Sequence, residues 1–404
     1  VISSARTIGV VTVNRSDYGI YLPILRGMKA EPSLRLHLMV TGAHLSPEFG
    51  STVRLIEADG FTVQERIEML LSSDTPEGTA KSMGVAVMGF AQAYARCRPD
   101  LLLVLGDRCE MYAAAVAAVP FTIPIAHVHG GELTEGAMDE GFRHSLTKLS
   151  HLHFVSTDRY RQRVLQLGEE SWRVVVSGAP GLDHLRVTPR LSREQLQQQF
   201  GVELDPPPLL ITYHPVTLEP DQAEVPVQEL LEALASVERP LIFTLPNPDP
   251  QGRQIRRAID AFVRRHSRAR MVDNFGSQGY FSLMAQAAAM VGNSSSGIIE
   301  APSFGLPVVN IGSRQQGRVR AANVIDVGND RAEIRRGLER ALSPEFRASL
   351  QGIANPYGDG LAAERIIRHL KEVELSPRLL KKRFMDLELP SHTLSREEAG
   401  LYVG

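Results

Sequence analysis

The chain has 404 residues, of which 43% are hydrophobic and 22% charged, and its formal net charge is −2. That length exceeds what one core ordinarily supports and points to two units of about 200 residues each. The near-neutral balance excludes the basic footprint of a nucleic-acid-binding protein, so no nucleic-acid partner is expected and any anionic ligand needs a local site.

Cys97 and Cys109 are spaced neither as metal ligands nor as a redox pair, and buried packing is their default role. The start at Val1 lacks the basic and apolar regions of a signal peptide. The apolar stretch Met111 to Val128 is interrupted by Pro120, Pro124 and His127, which suits a buried helix and strand better than a membrane span. A cytoplasmic chain with no membrane partner is expected.

In chain order, the first half alternates short apolar runs with helical patterns, as a parallel sheet covered on both faces should. Strands are expected at Ile8–Val13, Leu34–Val40, Leu101–Leu105, Ile123–Val128, His151–Val155 and Val174–Ser177. After the first, the loop Asn14-Arg15-Ser16-Asp17-Tyr18-Gly19 leads into a helix capped by Ser16 or Asp17, with Ile20, Ile24, Leu25 and Met28 on one face. Residues 184–208 are polar, end in Pro206-Pro207-Pro208 and carry one short helix, with Ser192 and Gln195 at capping-box spacing and Gly201 at its stop. The rhythm then restarts, with strands expected at Leu209–Tyr213, Leu241–Leu245, Arg270–Val272, Ala288–Val291, Val308–Ile311 and Val324–Val327. The reading is therefore an α/β chain of two Rossmann-like, doubly wound parallel-sheet domains: 1–183, a linker 184–208, and 209–375. The tail 376–404 is expected to pack back on the first domain or to make oligomer contacts. Two such domains imply a ligand cleft between their strand ends.

The sharpest local signal is Gly292-Asn293-Ser294-Ser295-Ser296-Gly297 after an apolar strand. Small residues there let backbone N–H groups approach a ligand, a helix N-terminus adds a positive dipole end, and serine hydroxyls add donors. A diphosphate suits that site, and Glu300, one or two turns into the helix, suits the hydroxyls of a ribose. An ordinary Ser/Gly turn with a solvated glutamate is the competing interpretation. Tyr213-His214-Pro215 and Leu245-Pro246-Asn247 bring His214 and Asn247 to the neighbouring strand ends, and Arg314 and Arg318 are either phosphate partners or solvated cations.

In the first domain, Asp107 directly follows a buried parallel strand, where α/β enzymes keep catalytic groups. The same edge collects Glu110, His129, Glu132, Asp139, Arg143 and His144, enough ionisable groups to perturb one another as acid/base work requires. Structural ion pairs suit Glu110, Glu140 and His144 and fit Asp107 and Glu132 less well. No zinc-type His or Cys spacing appears, so no metal is expected.

Taken in order, these motifs resemble the hydrolysing UDP-N-acetylglucosamine 2-epimerases of bacterial sialic-acid synthesis and the epimerase half of the animal bifunctional enzyme. The resemblance runs from Asn14–Gly19 and Thr41-Gly42-Ala43-His44 through Gly106-Asp107-Arg108 and His129-Gly130-Gly131-Glu132. It continues through Arg143-His144-Ser145 and His214-Pro215-Val216-Thr217 to Gly292–Gly297 and the Gly305–Arg318 segment. A related branch uses UDP-N,N'-diacetylbacillosamine on the way to legionaminic acid, and Glu132-Leu133-Thr134-Glu135-Gly136-Ala137 resembles that branch at least as closely.

The resemblance implies a GT-B fold, no cofactor and no required metal, a UDP-linked N-acetylhexosamine substrate, and a homodimer or homotetramer. It implies anti elimination of UDP to a 2-acetamidoglycal and then hydration, releasing UDP and the free C2-epimeric sugar, N-acetylmannosamine in the first instance. The UDP-binding set is expected to be Arg15, Gly19, Arg108, His214, Asn247, Ser294, Ser295, Glu300 and Arg314, which would stabilise the departing diphosphate. The catalytic set is Asp107, Glu132, Asp139, His129 and Arg143. Animal members carry glutamate where this chain has His129, which leaves the C2 base among Glu132, Asp139 and His129. The rival interpretations on the same scaffold are a GT-B glycosyltransferase, a non-catalytic UDP-sugar-binding module and a non-hydrolysing epimerase.

Overall fold

Strands form where apolar runs can be buried on both faces, and here they assemble into two separate, wholly parallel sheets. The computed structural model describes residues 5–71, 73, 75–134, 138–214, 224–245 and 252–386. The first sheet comprises β1 (Arg6–Thr12), β2 (Leu34–Thr41), β3 (Glu65–Ile67), β4 (Leu101–Leu105), β5 (Ile125–Val128), β6 (Leu152–Val155) and β7 (Val174–Val176). The second comprises β8 (Leu209–Thr212), β9 (Leu241–Thr244), β10 (Ala269–Val272), β11 (Ala289–Gly292), β12 (Val308–Ile311) and β13 (Val324–Val327).

The spatial orders are β3-β2-β1-β4-β5-β6-β7 and β10-β9-β8-β11-β12-β13. Each sheet therefore reverses its winding direction once, between β1 and β4 and between β8 and β11. At such a reversal the loops leaving adjacent strands diverge to opposite faces, opening a crevice at the carboxyl ends. Two crevices of this kind set the location of the functional site.

The predicted strands hold to within a residue or two. β3 escaped the sequence reading because it is three residues long and only Ile67 is buried. The first helix, Arg15–Ala30, is capped by Asn14 and not by Ser16 or Asp17. Asn14 Oδ1 accepts from Ser16 N–H at 2.8 Å and Asp17 N–H at 3.1 Å, while Asp17 Oδ1 accepts from Asn14 N–H at 2.6 Å. The aspartate is the reciprocal half of a capping box, so Arg15 and Gly19 are helical and not loop residues. Met111–Val128 resolves into the helix Cys109–Ala118 and β5, and among the described residues no helix is long and apolar enough to cross a membrane. Cys97 and Cys109, expected as buried, are only part-buried, one ending and one starting a helix.

Residues 184–208 hold two helices, His184–Val187 and Arg193–Phe200. The first is a single turn, too short to leave a periodic signal. The second has the expected Ser192–Gln195 capping box and left-handed Gly201, and it buries Leu196 in a cluster with Leu210 and Met290 of the second sheet. A larger departure concerns the helix Ala362–Glu372, which falls in the stretch 209–375. Its Ala363, Ile366 and Leu370 pack into the core of the first sheet. It crosses the helix Arg15–Ala30 at Gly27, where a Cβ would stand 2.1 Å from Ile367 Cδ1. Leu379 of the following segment joins the same core, and the buried Arg173 donates to the Arg378, Leu379 and Lys381 carbonyls.

Candidate active site

At the second switch point β11 ends in Gly292, whose φ of +132° is closed to ordinary side chains, and a Cβ there would lie 2.0 Å from the Thr212 carbonyl oxygen. That close approach lets the next residue, the fully buried Asn293, reach under β8. Its Oδ1 accepts from His214 N–H at 2.7 Å and its Nδ2 donates to the His214 carbonyl at 2.9 Å. Its own carbonyl accepts from Arg314 Nη1 at 3.1 Å and from Gln315 Nε2 at 2.8 Å. One amide thus gathers the loops after β8, β11 and β12.

The helix behind this loop is a single turn, Ser296–Ile299, with Glu300 at its end and not one or two turns inside it. Pro302, two residues on, has no N–H to continue the helix, and the chain tightens into a 3₁₀ turn, Ala301–Phe304. So short a helix has a weak dipole, and anion binding would rest on the loop N–H groups, the serines and Arg314. Ser294 is nearly buried, its Oγ accepting from Ser296 N–H at 3.3 Å. Ser295 is part-buried, and its carbonyl accepts from Ile298 N–H at 3.0 Å.

Glu300 Oε2 is buried with no hydrogen-bond partner among the described residues, and burial pushes the carboxyl up to about 7. A cleft of about 430 Å³ opens beside it, lined by Asn274, Phe275, Tyr280, Ser294 and Ser296. Arg15 reaches in from the first sheet's side, its Nη2 donating to Asn274 Oδ1 at 3.2 Å. Burial, then Arg314, lowers His214 to about 4, so its ring is neutral at pH 7. Gly19 is not part of this lining; its carbonyl lies 2.7 Å from His184 Nε2. Asn247 and the segment 215–217 lie outside the described residues.

The chemistry-bearing loops leave β4, β5 and β6 side by side. Arg143, on the helix Met138–Leu149, is 3% exposed and braces the first two. Its guanidinium donates to the Asp107 carboxylate, to Thr134 Oγ1 at 2.9 Å and to the His129 carbonyl at 3.1 Å. His129 has a φ of +66°, uncommon for a residue with a side chain, and that turn aims its ring back at Glu132. His129 Nδ1 lies 2.7 Å from Glu132 Oε1, and Ser156 Oγ donates to the same oxygen at 2.8 Å while lying 2.9 Å from Nδ1. Arg318 Nη1, from the second sheet, lies 3.5 Å from Glu132 Oε2.

Burial pushes the Glu132 carboxyl up, but His129, and then Arg318 and Arg143, hold it well below the usual carboxylate range. Asp139 differs: burial and then the nearby Asp107 raise it, and among the described residues no hydrogen bond engages it. Arg108 is half-exposed and pairs with the buried Glu110 at 3.0 Å, while His144 Nε2 lies 3.0 Å from Glu140 Oε1. Among the described residues no three His, Cys, Asp or Glu side chains gather as a metal site.

The structure therefore brings Asp107, His129, Glu132, Asp139, Arg143 and Arg318 to one edge, and Arg15, His214, Ser294, Glu300 and Arg314 to the other. Sequence reasoning missed Ser156, Tyr280 and Asn274. Ser156 was within reach, because it directly follows β6, next in the sheet to the strand that leads to His129. Nothing local in the sequence marks the other two.

A family model described as UDP-N-acetylglucosamine 2-epimerase matches residues 26–371. A GDP/UDP-N,N'-diacetylbacillosamine 2-epimerase (hydrolyzing) of Campylobacter jejuni is 39% identical over 387 residues, covering 95% of this chain and 100% of that protein. A UDP-N,N'-diacetylbacillosamine 2-epimerase (hydrolyzing) of Legionella pneumophila is 38% identical, covering 93% and 98%. The crystal structure of a Neisseria meningitidis UDP-GlcNAc 2-epimerase bound to UDP-GlcNAc superposes with a TM-score of 0.79 at 20% identity, covering 90% of this chain and 99% of that one. The fold is accordingly GT-B-like, two parallel-sheet α/β units, and the chain belongs to the UDP-N-acetylglucosamine 2-epimerase family, on its hydrolysing branch.

Proposed function

We propose that the chain removes UDP from a UDP-linked 2-acetamido sugar and inverts C2, with UDP-N,N'-diacetylbacillosamine preferred over UDP-N-acetylglucosamine. The sequence motifs put UDP-N-acetylglucosamine first with the diacetylated sugar as the alternative; the preference proposed here is supported by the names of the Campylobacter and Legionella relatives, matched over almost the full chain.

The observation that carries the reaction is a division of labour at one edge of the cleft. Asp107 and Glu132 are pinned, the one by Arg143 and the other by His129, Ser156 and Arg318. His129 Nε2 and the Asp139 carboxylate are not engaged by hydrogen bonds among the described residues. Inversion at C2 needs two proton carriers on opposite faces, and these two groups suit that role, His129 oriented by Glu132 and Asp139 held in its protonated form more readily by burial and the nearby Asp107. One takes the C2 proton as the C1–O bond breaks and UDP leaves with the electron pair. In the second stage water adds its hydroxyl at C1, and the other carrier delivers a proton to C2. The Asn293 loop, His214 and Arg314 stabilise the leaving diphosphate, and Glu300 accepts from the ribose hydroxyls.

The test is UDP release from both sugars measured side by side. A higher kcat/KM for the diacetylated sugar is expected. A preference for UDP-N-acetylglucosamine would overturn the substrate assignment, and no UDP from either would overturn the reaction.

A further inference from the structure

Arg318 reaches Glu132 from the other half of the molecule, and the segment that carries it is held on both sides by one helix of the first half. That helix is Asp158–Gln166. Arg163 on it splits its guanidinium between two carbonyls: Nη1 donates to Gly131 at 3.3 Å and Nη2 to Gly317 at 3.2 Å. Gly131 immediately precedes Glu132, and Gly317 immediately precedes Arg318. On the far side of Arg318, the buried Tyr160 accepts from Val319 N–H at 3.2 Å. The equally buried Tyr357 donates to the Val319 carbonyl at 3.0 Å, and the two phenol oxygens lie 2.8 Å apart.

Residues 317 and 319 are thus tied, through backbone groups alone, to a helix that also ties the loop of Glu132. The tie matters because Glu132 divides its oxygens, Oε1 serving His129 and Ser156 and Oε2 facing Arg318. We propose that Arg163 is a positioning residue: with Tyr160 and Tyr357 it clamps the Gly317–Val319 segment so that Arg318 stays against Glu132, and through Glu132 it keeps His129 aimed at the sugar. Arg163 touches neither substrate nor reacting atoms in this account. The clamp links the diphosphate side to the proton-transfer side, because Arg318 closes the same loop that carries Arg314.

The activity consequence rests on the function proposed above; the clamp itself does not. Two readouts keep them apart in the full-length chain. In Arg163→Met, amide hydrogen exchange over residues 317–319 should rise, and kcat should fall by about tenfold to a hundredfold with little change in KM, as expected for losing charged hydrogen bonds that act by orientation. Tyr357→Phe, which keeps the ring and removes one donor, should raise exchange in the same segment. In an Arg318→Met background, Arg163→Met should cost clearly less than in the wild-type chain, only what its bond to the Gly131 carbonyl contributes, whereas a merely structural role would add its full effect. Unchanged exchange over 317–319 overturns the clamp. Raised exchange with unchanged kcat, or additive losses in the double variant, overturns its role in the reaction. A wild-type chain that releases no UDP from either sugar would sink the functional reading alone, with exchange still deciding the clamp.

Discussion

Asn293 holds together the loops of the diphosphate side, so Asn293→Ala is the most informative single change there. The substitution removes an acceptor for His214 N–H and a donor for the His214 carbonyl, bonds of 2.7 and 2.9 Å. A fully buried polar group left unpaired costs about 1–3 kcal/mol. His214 is only part-buried, and water can recover some of that loss, so the total should be about 1–3 kcal/mol for the pair. For a unit of 150–250 residues this corresponds to a fall in melting temperature of roughly 2–12 °C. Arg314 and Gln315 bond the main-chain carbonyl of Asn293, which the substitution keeps but no longer holds in register. UDP affinity should therefore drop by about tenfold or more, equivalent to at least about 1.4 kcal/mol. Calorimetric unfolding and UDP titration on the same preparation measure both. An unchanged melting temperature together with unchanged UDP affinity would refute the idea that this amide organises the site.

Three further outcomes are expected. Asp107→Asn, which removes the charge that holds Arg143, should lower kcat by about tenfold to a hundredfold in the UDP-release assay while isothermal titration finds UDP binding largely intact, and a collapse of UDP affinity would reject the separation of the two sides. Glu300 is raised from an ordinary 4.5 to about 7, so the folded state holds a proton that the unfolded chain has lost. Its contribution therefore makes stability fall as pH rises from about 4.5 through about 7. Glu300→Gln should flatten that part of the profile in pH-dependent melting, and an identical slope would contradict the assignment. Leu379→Ala, at a position 1% exposed in the first core, should cost about 2–5 kcal/mol in denaturant unfolding. A neutral result would mean that the segment after the last long helix does not pack as described.

Much of this was legible in the sequence because parallel strands buried on both faces write themselves as unbroken apolar runs. The residues after those runs then fall at the carboxyl edge, which is how Asp107, His129, His214 and Ser294 could be picked out. What failed did so for identifiable physical reasons. The cap at Asn14 was misplaced by two or three residues because Asp17, which looked like a cap, is the reciprocal partner of one. That error put Gly19 in a binding loop when it is helical. The spacing of Ala362, Ala363, Ile366 and Leu370 marks a helix, but an apolar stripe does not name the core it will join, and this one crosses back to the first sheet. The ties of Glu132 to Ser156 and Arg318, 24 and 186 positions away, were not legible because they have no local signature.

The central claim is that C2 loses its proton and C1 loses UDP before water is added. Incubating the chain with UDP-N,N'-diacetylbacillosamine in deuterated water and following the products by NMR tests this directly. The account predicts free C2-inverted sugar with deuterium at C2 and an equal amount of UDP. Release of UDP with protium retained at C2 and no inversion, or inversion with the sugar still attached to UDP, would contradict it.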